Sequence, residues 1–451
     1  KDSFEFYRLH LQLDRFSRNA AIDACNRRGL LLMMKNIEKN VRLEDSERDF
    51  RKHAAYIILA ALLVRAVWAS FVPVVPLSDS NAYDVFAQNI AAGAGYGWKP
   101  GEPTAFWPVG TSAIYAFFYF LFGHAYFPIV VFNIVIGVAT ISLVMLTSRK
   151  WHEPKMAIGA GLILAFWPTH VAFVTVLASD LVFNFFMMAA IYSWVAVKHT
   201  WVRGLLCGIV FAAACYVRPT ALLIPIILGF VDITRRRAPS KTVGGVVLCM
   251  ITMIVLILPW SMRNQRVFDQ FVLVSSNFGT NLRMGNNPET NGGYMSVPFD
   301  EELNQAENDK LLKAKAIQYI RDNPVRSMFM FFKKVFITYN RESIGIEWNR
   351  GGLETLMPTK FIFALKIIFN IFWWTVLGLG VLGILFLGWR QTPFLACTSP
   401  ALIFWAYFAF VHGVIVGGDR YHFPSTPFIA MLAALAINHF IQGSRYDESR
   451  D

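Results

Sequence analysis

From Ala54 almost to the C-terminus the chain is a succession of apolar stretches, each near the length a helix needs to cross a hydrocarbon core. A span takes about 20 apolar residues, fewer where polar ends reach the interface. On that measure spans are predicted at 54–73, 126–148, 155–170, 179–197, 203–217, 219–234, 242–261, 361–388, 394–416 and 424–441. Two further segments read as helices lying at the interface: 109–122, apolar but short, and 327–338, broken by Lys333 and Lys334. Composition agrees, with 55% hydrophobic and 16% charged residues, where a soluble chain carries about 25% charged. The fold class is therefore an all-α polytopic membrane protein of about ten transmembrane helices.

Ten spans place both termini on one side, and the basic residues of the short loops say which. Arg51-Lys52, Arg149-Lys150, Lys198, Arg203, Arg235-Arg236-Arg237 with Lys241, and Arg390 all fall on one face, which the positive-inside rule makes cytoplasmic. Loop 73–125 has Lys99 as its single Lys or Arg and faces outward. The formal charge of +12 is thus mostly topology plus a basic N-terminal segment, and nucleic acid is the weaker explanation. Residues 1–52 lack the short apolar core of a signal peptide. They read either as a solvated extension or, through Leu30–Met34, as an amphipathic cytoplasmic helix on anionic lipid. The organisation is then a cytoplasmic segment 1–52, a membrane domain 53–442 with a large external segment at 262–360, and a cytoplasmic tail 443–451. Cys25, Cys207, Cys215, Cys249 and Cys397 avoid the external loops, so neither a disulfide framework nor a cysteine zinc site is implied.

With the spans drawn, the unusual polar residues gather on the outer face. Asp79 starts the first external loop, Asp180 in "VLASDLVFN" opens a span, and Arg218 in "YVRPTALL" sits at an outward turn. Arg263 in "LPWSMRNQRVF" begins the large external segment, and Arg420 in "GGDRYHFPSTPF" precedes the last span. An ionisable group at membrane depth needs a partner, water or a ligand. Two acids and three arginines on one surface suit an anionic ligand and an acid–base task. Each has an ordinary reading too: an interfacial arginine anchors, and an aspartate at a helix start accepts from an exposed N–H as N-cap. Asp79 stands before a stripe of Tyr83, Phe86, Ala87 and Ile90, which predicts an amphipathic helix over 81–92 on the outer leaflet. Asp84 lies off that stripe and reads as solvated.

Taken in order, these segments resemble the GT-C superfamily of polyprenyl-phosphate-dependent glycosyltransferases, and within it the branch of protein O-mannosyltransferases and lipid A aminoarabinose transferases. "SDSNAYDVFAQNIAAGAGYG" is similar to that branch's first loop, and "PTAFWPVGTSAIYAFFYFLFG" to the juxtamembrane helix after it. "LASDLVF", "YVRPTALLIP", "LPWSMRNQRVFDQFVLVSSNFGTNLRMGNNPETNGGY" and "DRYHFPSTPFIAMLAA" follow in the family's order, so the resemblance covers about 54–441. There are departures. Trp107-Pro108-Val109-Gly110 replaces the usual Pro-Pro-Gly, and the second acid is Asp180 rather than Glu. Ser78-Asp79-Ser80 lacks the Asp-x-Asp of divalent-metal members, which points to the metal-independent variant and leaves a metal open.

The resemblance implies a GT-C fold with external juxtamembrane helices in the first outer loop. It also implies a donor whose single sugar is joined through one phosphate to a polyprenol, an acceptor hydroxyl, inversion, and a bacterial inner membrane with the site facing outward. Asp79 is the expected base, since an attacking hydroxyl must lose its proton. Arg420 and Arg218, then Arg263, are expected to hold the phosphate by paired hydrogen bonds. Asp180 would orient the acceptor or those arginines. Tyr83, Tyr421, His422, Asn281, Asn286 and Asn287 are expected substrate contacts; for the asparagines an ordinary turn cluster is the competing reading. A transporter or flippase predicts charge spread through the spans at mid-depth, whereas Arg65 and Lys366 are among the few charges there. A ligase of whole lipid-linked glycans, or a noncatalytic partner subunit, shares the same outer features. Sugar and acceptor are unnamed by the sequence; an envelope glycan, a glycolipid or a protein all fit.

Overall fold

The computed structural model describes residues 47–235, 238–390 and 393–448. Most of the basic segment expected over 1–52 and the last residues of the tail lie outside them. Contacts separate residues 1–55 from residues 56–451. The described part of the first, 47–55, is helical, and the second carries the elements that build the site.

The helices run α1 (Glu47–Phe71), α2 (Asp79–Ala91), α3 (Gly110–Phe122), α4 (Tyr126–Trp151), α5 (Pro154–Ala165) and α6 (Pro168–Ala172). Next come α7 (Ser179–Ala196), α8 (Thr200–Val217), α9 (Ile224–Thr234), α10 (Pro239–Phe268), α11 (Phe278–Gly285), α12 (Gln305–Asp322) and α13 (Pro324–Tyr339). The chain finishes with α14 (Ile344–Glu347), α15 (Arg350–Glu354), α16 (Thr359–Arg390), α17 (Pro393–Cys397), α18 (Pro400–Val414) and α19 (Thr426–Glu448). Among the described residues the β pairing is confined to an isolated bridge between Gly97 and Pro103. Among the described residues seven helices are long and apolar enough to cross a membrane, and α5 with the segment Pro168–Thr175 makes an eighth if that bent pair is one span. The remaining two expected spans are shorter apolar helices, Pro219–Thr234 and Pro400–Val414.

Two breaks in these helices are written in Xaa-Pro pairs. A residue before proline is pushed out of the helical region. Trp167, before Pro168, is extended, and the pair bends by 55°. Arg218, before Pro219, is likewise extended at φ −150°, ψ 120°, which ends α8 and turns its side chain out of the helix. The first break leaves carbonyls without helical partners. Arg65 of α1, fully buried, donates to the carbonyls of Leu164 (3.2 Å) and Ala165 (3.0 Å) and to Ala61 (3.1 Å). That charge within a span is structural. Lys366, also within a span, pairs with Glu347.

Enclosure decides which helices carry the core. Of the apolar window of α19, 78% is buried inside the protein, against 22% for α1. Helix α19 packs on α16, α5 and α18, while α7 lies against α8 and α4, and α10 against α8. The ends of α7, α8 and α19 therefore have little freedom to move.

Helix α2 corrects two expectations. Its apolar stripe does not face lipid: Tyr83 and Ala87 are buried with Tyr115, Tyr119 and Ile129, and Phe86 with Ala82 and Tyr96. Asp84 is not solvated but buried, accepting from Tyr119 Oη (2.5 Å), Tyr126 Oη (3.1 Å) and Gln88 Nε2 (3.2 Å) beside His124 Nε2 (3.1 Å). A one-helix stripe assigns one buried face, whereas α2 is packed on both sides. Asp84 fastens it to α3 and α4.

Helix α13 exposes Val325, Met328, Phe329, Phe332 and Phe336, as an interfacial helix would, and turns the fully buried Lys334 inward. Lys334 Nζ donates to Asn286 Oδ1 (3.0 Å) and to the carbonyl of Val414 (2.7 Å) at the end of α18. Gly285 makes the same junction possible, because a Cβ there would stand 2.0 Å from the carbonyl oxygen of Ile415. Burial pulls the Lys334 ammonium down to about 8, against about 10.4 in an unfolded chain. Between those values the unfolded chain holds the extra proton, so stability rises with pH across that window. Thermal unfolding between pH 8 and 10 is expected to show this rise, and Lys334→Met should flatten it by up to about 1 kcal/mol per pH unit.

Candidate functional site

Four charged side chains from four different elements meet at one place. Asp79 is the first residue of α2, Asp180 the second of α7, Arg218 stands at the break after α8, and Arg420 lies in the loop before α19. Arg420 is the centre: Nη1 donates to Asp79 Oδ2 at 2.5 Å and Nε to Asp180 Oδ2 at 3.1 Å. Its Nη2 donates to Ser179 Oγ at 3.2 Å. Arg218 pairs through Nη2 with Asp180 Oδ1 at 2.6 Å and donates from Nε to Ser179 Oγ at 3.0 Å. Asp180 is fully buried between the two guanidinium groups.

The helix starts serve geometry rather than capping. Ser78, not Asp79, is the N-cap of α2, and its side chain makes no cap bond. Ala178 precedes α7, so Asp180 caps nothing either. Ser78 sits at φ 54°, a left-handed conformation unusual for a residue with a side chain. Backbone strain of this kind costs on the order of 1 kcal/mol or more and collects at functional sites. It aims Asp79, which also accepts from Trp107 Nε1 at 3.3 Å. One face of Arg420 is covered by Trp348, whose ring lies 4.3 Å from the guanidinium carbon and stacks in turn on Phe173.

Burial opposes the charge on Arg420, but Asp180 and Asp79 outweigh it and hold the guanidinium well above its ordinary value. Tyr83 and Tyr421 stand in the field of the same groups, and burial raises both hydroxyls, which keeps them protonated as donors. Asp79 is partly exposed, at 31% of its side chain, whereas Asp180 is sealed. One carboxylate is open to a ligand and the other braces the arginines. Both are engaged by arginine, and among the described residues no three His, Cys, Asp or Glu side chains gather as a metal site.

The structure thus brings together Asp79, Tyr83, Asp180, Arg218, Arg420 and Tyr421. Other expected residues are placed elsewhere. Arg263 donates to the carbonyl of Thr104 (2.8 Å) and lies over Trp260, tying the first loop to α10. His422 is buried against Trp373 with Glu342 and the carbonyl of Thr338 as its partners. Asn281 stands half-buried on α11. Asn286 gives its amide to the carbonyls of Leu282, Val414 and Ile415, and Asn287 to those of Arg283 and Met284. Their amides hold backbone together, so the turn reading of this run describes these two. Sequence reasoning passed over Ser179 and Trp348. Ser179 adjoins Asp180 in "LASDLVF" and was within reach; nothing local in "IEWNRGG" sets Trp348 apart.

Residues 107–262 match the family model described as dolichyl-phosphate-mannose-protein mannosyltransferase. No curated protein matches the sequence. Among solved structures, the Archaeoglobus fulgidus oligosaccharyltransferase tethered to an acceptor peptide superposes with a TM-score of 0.54 over 88% of this chain, at 14% identity. The ArnT of Cupriavidus metallidurans in the apo state gives the same TM-score over 85% of the chain, also at 14% identity. The chain has the GT-C fold. It spans 51% of the length of the archaeal enzyme and 59% of ArnT. The segment matched by the family model carries α7 and α8, with Asp180 and Arg218. Asp79 and Arg420 lie outside it and are tied to the GT-C frame by the contacts described above.

Because Asp180 is sealed, removing one of its arginines strands charge. Arg218→Met is expected to lower stability by about 3 kcal/mol, read as a fall in melting temperature. Adding Asp180→Asn should recover part of that loss.

Proposed function

We propose that this GT-C chain is an integral membrane glycosyltransferase that moves a single sugar, with inversion, from a polyprenyl-phosphate-linked donor to an acceptor hydroxyl. The reaction takes place at the outer face of a bacterial inner membrane, in the modification of an envelope glycan or glycolipid. The observation that carries this reading is the position of Arg420 between an accessible carboxylate, Asp79, and a sealed one, Asp180, with Arg218 alongside. On this reading Asp79 as base and Arg218 with Arg420 as phosphate-binding pair work in one cluster. Two solved neighbours support a lipid phosphate: the ArnT structure bound to undecaprenyl phosphate, and the archaeal oligosaccharyltransferase in complex with an inhibitory peptide and a dolichol-phosphate. The loop arginines and lysines support the outward orientation.

The chemistry follows from the charges. Asp79 takes the proton of the acceptor hydroxyl while the hydroxyl oxygen attacks the anomeric carbon and the bond from that carbon to the phosphate oxygen breaks. Both electrons leave with the polyprenyl phosphate. Arg218 and Arg420 receive the charge that grows on it, in a setting where a fixed donor is worth more than in water. Before reaction the two arginines and two carboxylates cancel. Once Asp79 is protonated, Arg420 Nη1 is released toward the phosphate, and the cluster gains one positive charge as the phosphate gains one negative charge. Proton transfer and leaving-group stabilisation are linked through one guanidinium.

A second reading, transfer of a whole lipid-linked glycan, is favoured by the likeness to an oligosaccharyltransferase. The transporter reading loses support, since Arg65 and Lys366 are engaged by protein groups.

Purified protein offered a panel of polyprenyl-phosphate sugars is expected to release polyprenyl phosphate from at least one. Turnover only with oligosaccharide-bearing donors would favour the second reading. Asp79→Asn should lower turnover at least about 100-fold while the donor still protects the protein against heating. Arg420→Ala should weaken that protection; an unchanged dose dependence would remove Arg420 from the phosphate site.

A further inference from the structure

The loop that carries Arg420 is held by several groups, among them Asn184 Nδ2 on the carbonyl of Phe423 (3.1 Å) and the carbonyl of Gly292 on Gly417 N (2.9 Å), but most of its fastenings come from one neighbouring segment. From Gly418 to Ser425 it is fastened to residues 338–343, where α13 ends and the chain turns toward α14. Gly418 N donates to Thr338 Oγ1 (3.3 Å), and Asp419 Oδ2 accepts from Ser343 Oγ (3.0 Å) and lies 3.6 Å from Arg341 Nε. His422 faces the Thr338 carbonyl through Nδ1 (2.8 Å) and Glu342 Oε1 through Nε2 (3.2 Å). Ser425 Oγ meets Tyr339 Oη at 3.1 Å. Gly417 lets the strands of this junction touch, since a Cβ there would stand 2.6 Å from the carbonyl oxygen of Lys334.

Within that strap lies a carboxylate the proposed reaction does not use. Glu342 is fully buried. It accepts from Trp167 Nε1 at 2.8 and 3.0 Å and meets His422. An ion buried without a partner is costly, so the arrangement needs an explanation. A carbonyl only accepts, so His422 Nδ1 carries a hydrogen toward Thr338. Nε2 is then the edge that meets Glu342 Oε1. The ring is also stacked on Trp373 at 4.1 Å. His422 is thus fixed on both edges and one face, two residues from Arg420.

We propose that Glu342 is a positioning residue for Arg420: through His422 it sets the loop from which the guanidinium reaches Asp79 and Asp180. This deepens the glycosyltransferase reading and rests on it for its consequence in donor binding, but not for its effect on the loop.

The test has two arms on the full chain in detergent or nanodiscs. Hydrogen–deuterium exchange reads the loop without any substrate. Glu342→Ala is expected to speed exchange across residues 416–425 while residues 242–257 of α10 keep their wild-type rate. Glu342→Gln should restore protection, because its amide can donate to a neutral His422 Nε2 and still accept from Trp167. Glu342→Asp, a gentler change that keeps the charge but withdraws it from His422, should behave as Ala and covers the case in which the alanine variant does not fold. Loop exchange equal to wild type in both Ala and Asp variants would overturn the proposal, and so would a uniform rise over the whole chain, which marks mere destabilisation. In the second arm, protection against heating by a polyprenyl-phosphate sugar should require roughly 10- to 100-fold more lipid in the Ala and Asp variants, with Gln near wild type. If the wild type itself gains no protection, the glycosyltransferase reading fails while the exchange arm still decides the role of Glu342. Unchanged dose dependence in Ala and Asp, with a protected wild type, would overturn the positioning role.

Discussion

Arg420 joins two carboxylates that belong to different parts of the chain, and the rest of the structure is arranged around that junction. A guanidinium is planar, always charged and able to donate on several edges at once. Here one edge meets Asp79, another Asp180 and Ser179, and one face rests on Trp348. Such a group cannot be placed by a single helix. It needs α2 for one acid, α7 for the other, and a loop held from behind by residues 338–343. The sealing of Asp180 makes the arrangement rigid, because any slippage would leave a buried charge unpaired.

Helix interruptions are the means by which this membrane-type fold supplies polar groups where the chemistry is proposed. A continuous span presents only side chains along its flank. A span broken at Xaa-Pro presents an extended residue at the break, as at Arg218, or lets the chain turn back into a new helix start, as after Trp167. Each break leaves backbone groups to be satisfied, and Arg65 does this for α5. The same residue type therefore serves opposite ends: Arg65 repairs a break, and Arg218 exploits one.

Much of this was legible in the sequence because the relevant signals are local. Apolar runs gave the helices, Arg218-Pro219 gave a break, and the order of short motifs gave the GT-C resemblance and four residues of the cluster. What stayed hidden was decided by tertiary packing. The stripe on α2 implies one apolar face, yet which surface covers it, and what meets Asp84 on the other side, depends on α3 and α4. His422 sits two positions from Arg420 but points the opposite way, toward Glu342, because the loop turns between them. Trp348 and Glu342 carry no local signal; their partners lie at least 72 positions distant. Asn286 and Asn287 show the reverse error, since an amide-rich run suited to sugar is equally suited to closing helix ends.

Asp79 and Arg420 are separated by 341 positions. That distance has a consequence for biogenesis. As the helices are made one after another, Asp180 and Arg218 emerge within 38 positions of each other and can pair early. Asp79 acquires its arginine only after a further 341 positions have been synthesised and the loop before α19 has docked. Loop closure over so many residues is slow relative to local pairing, so the junction forms after the Asp180–Arg218 pair. A chain that stalls before α19 keeps its early ion pair and lacks the open one. Completion of the site waits on the docking of the loop before α19.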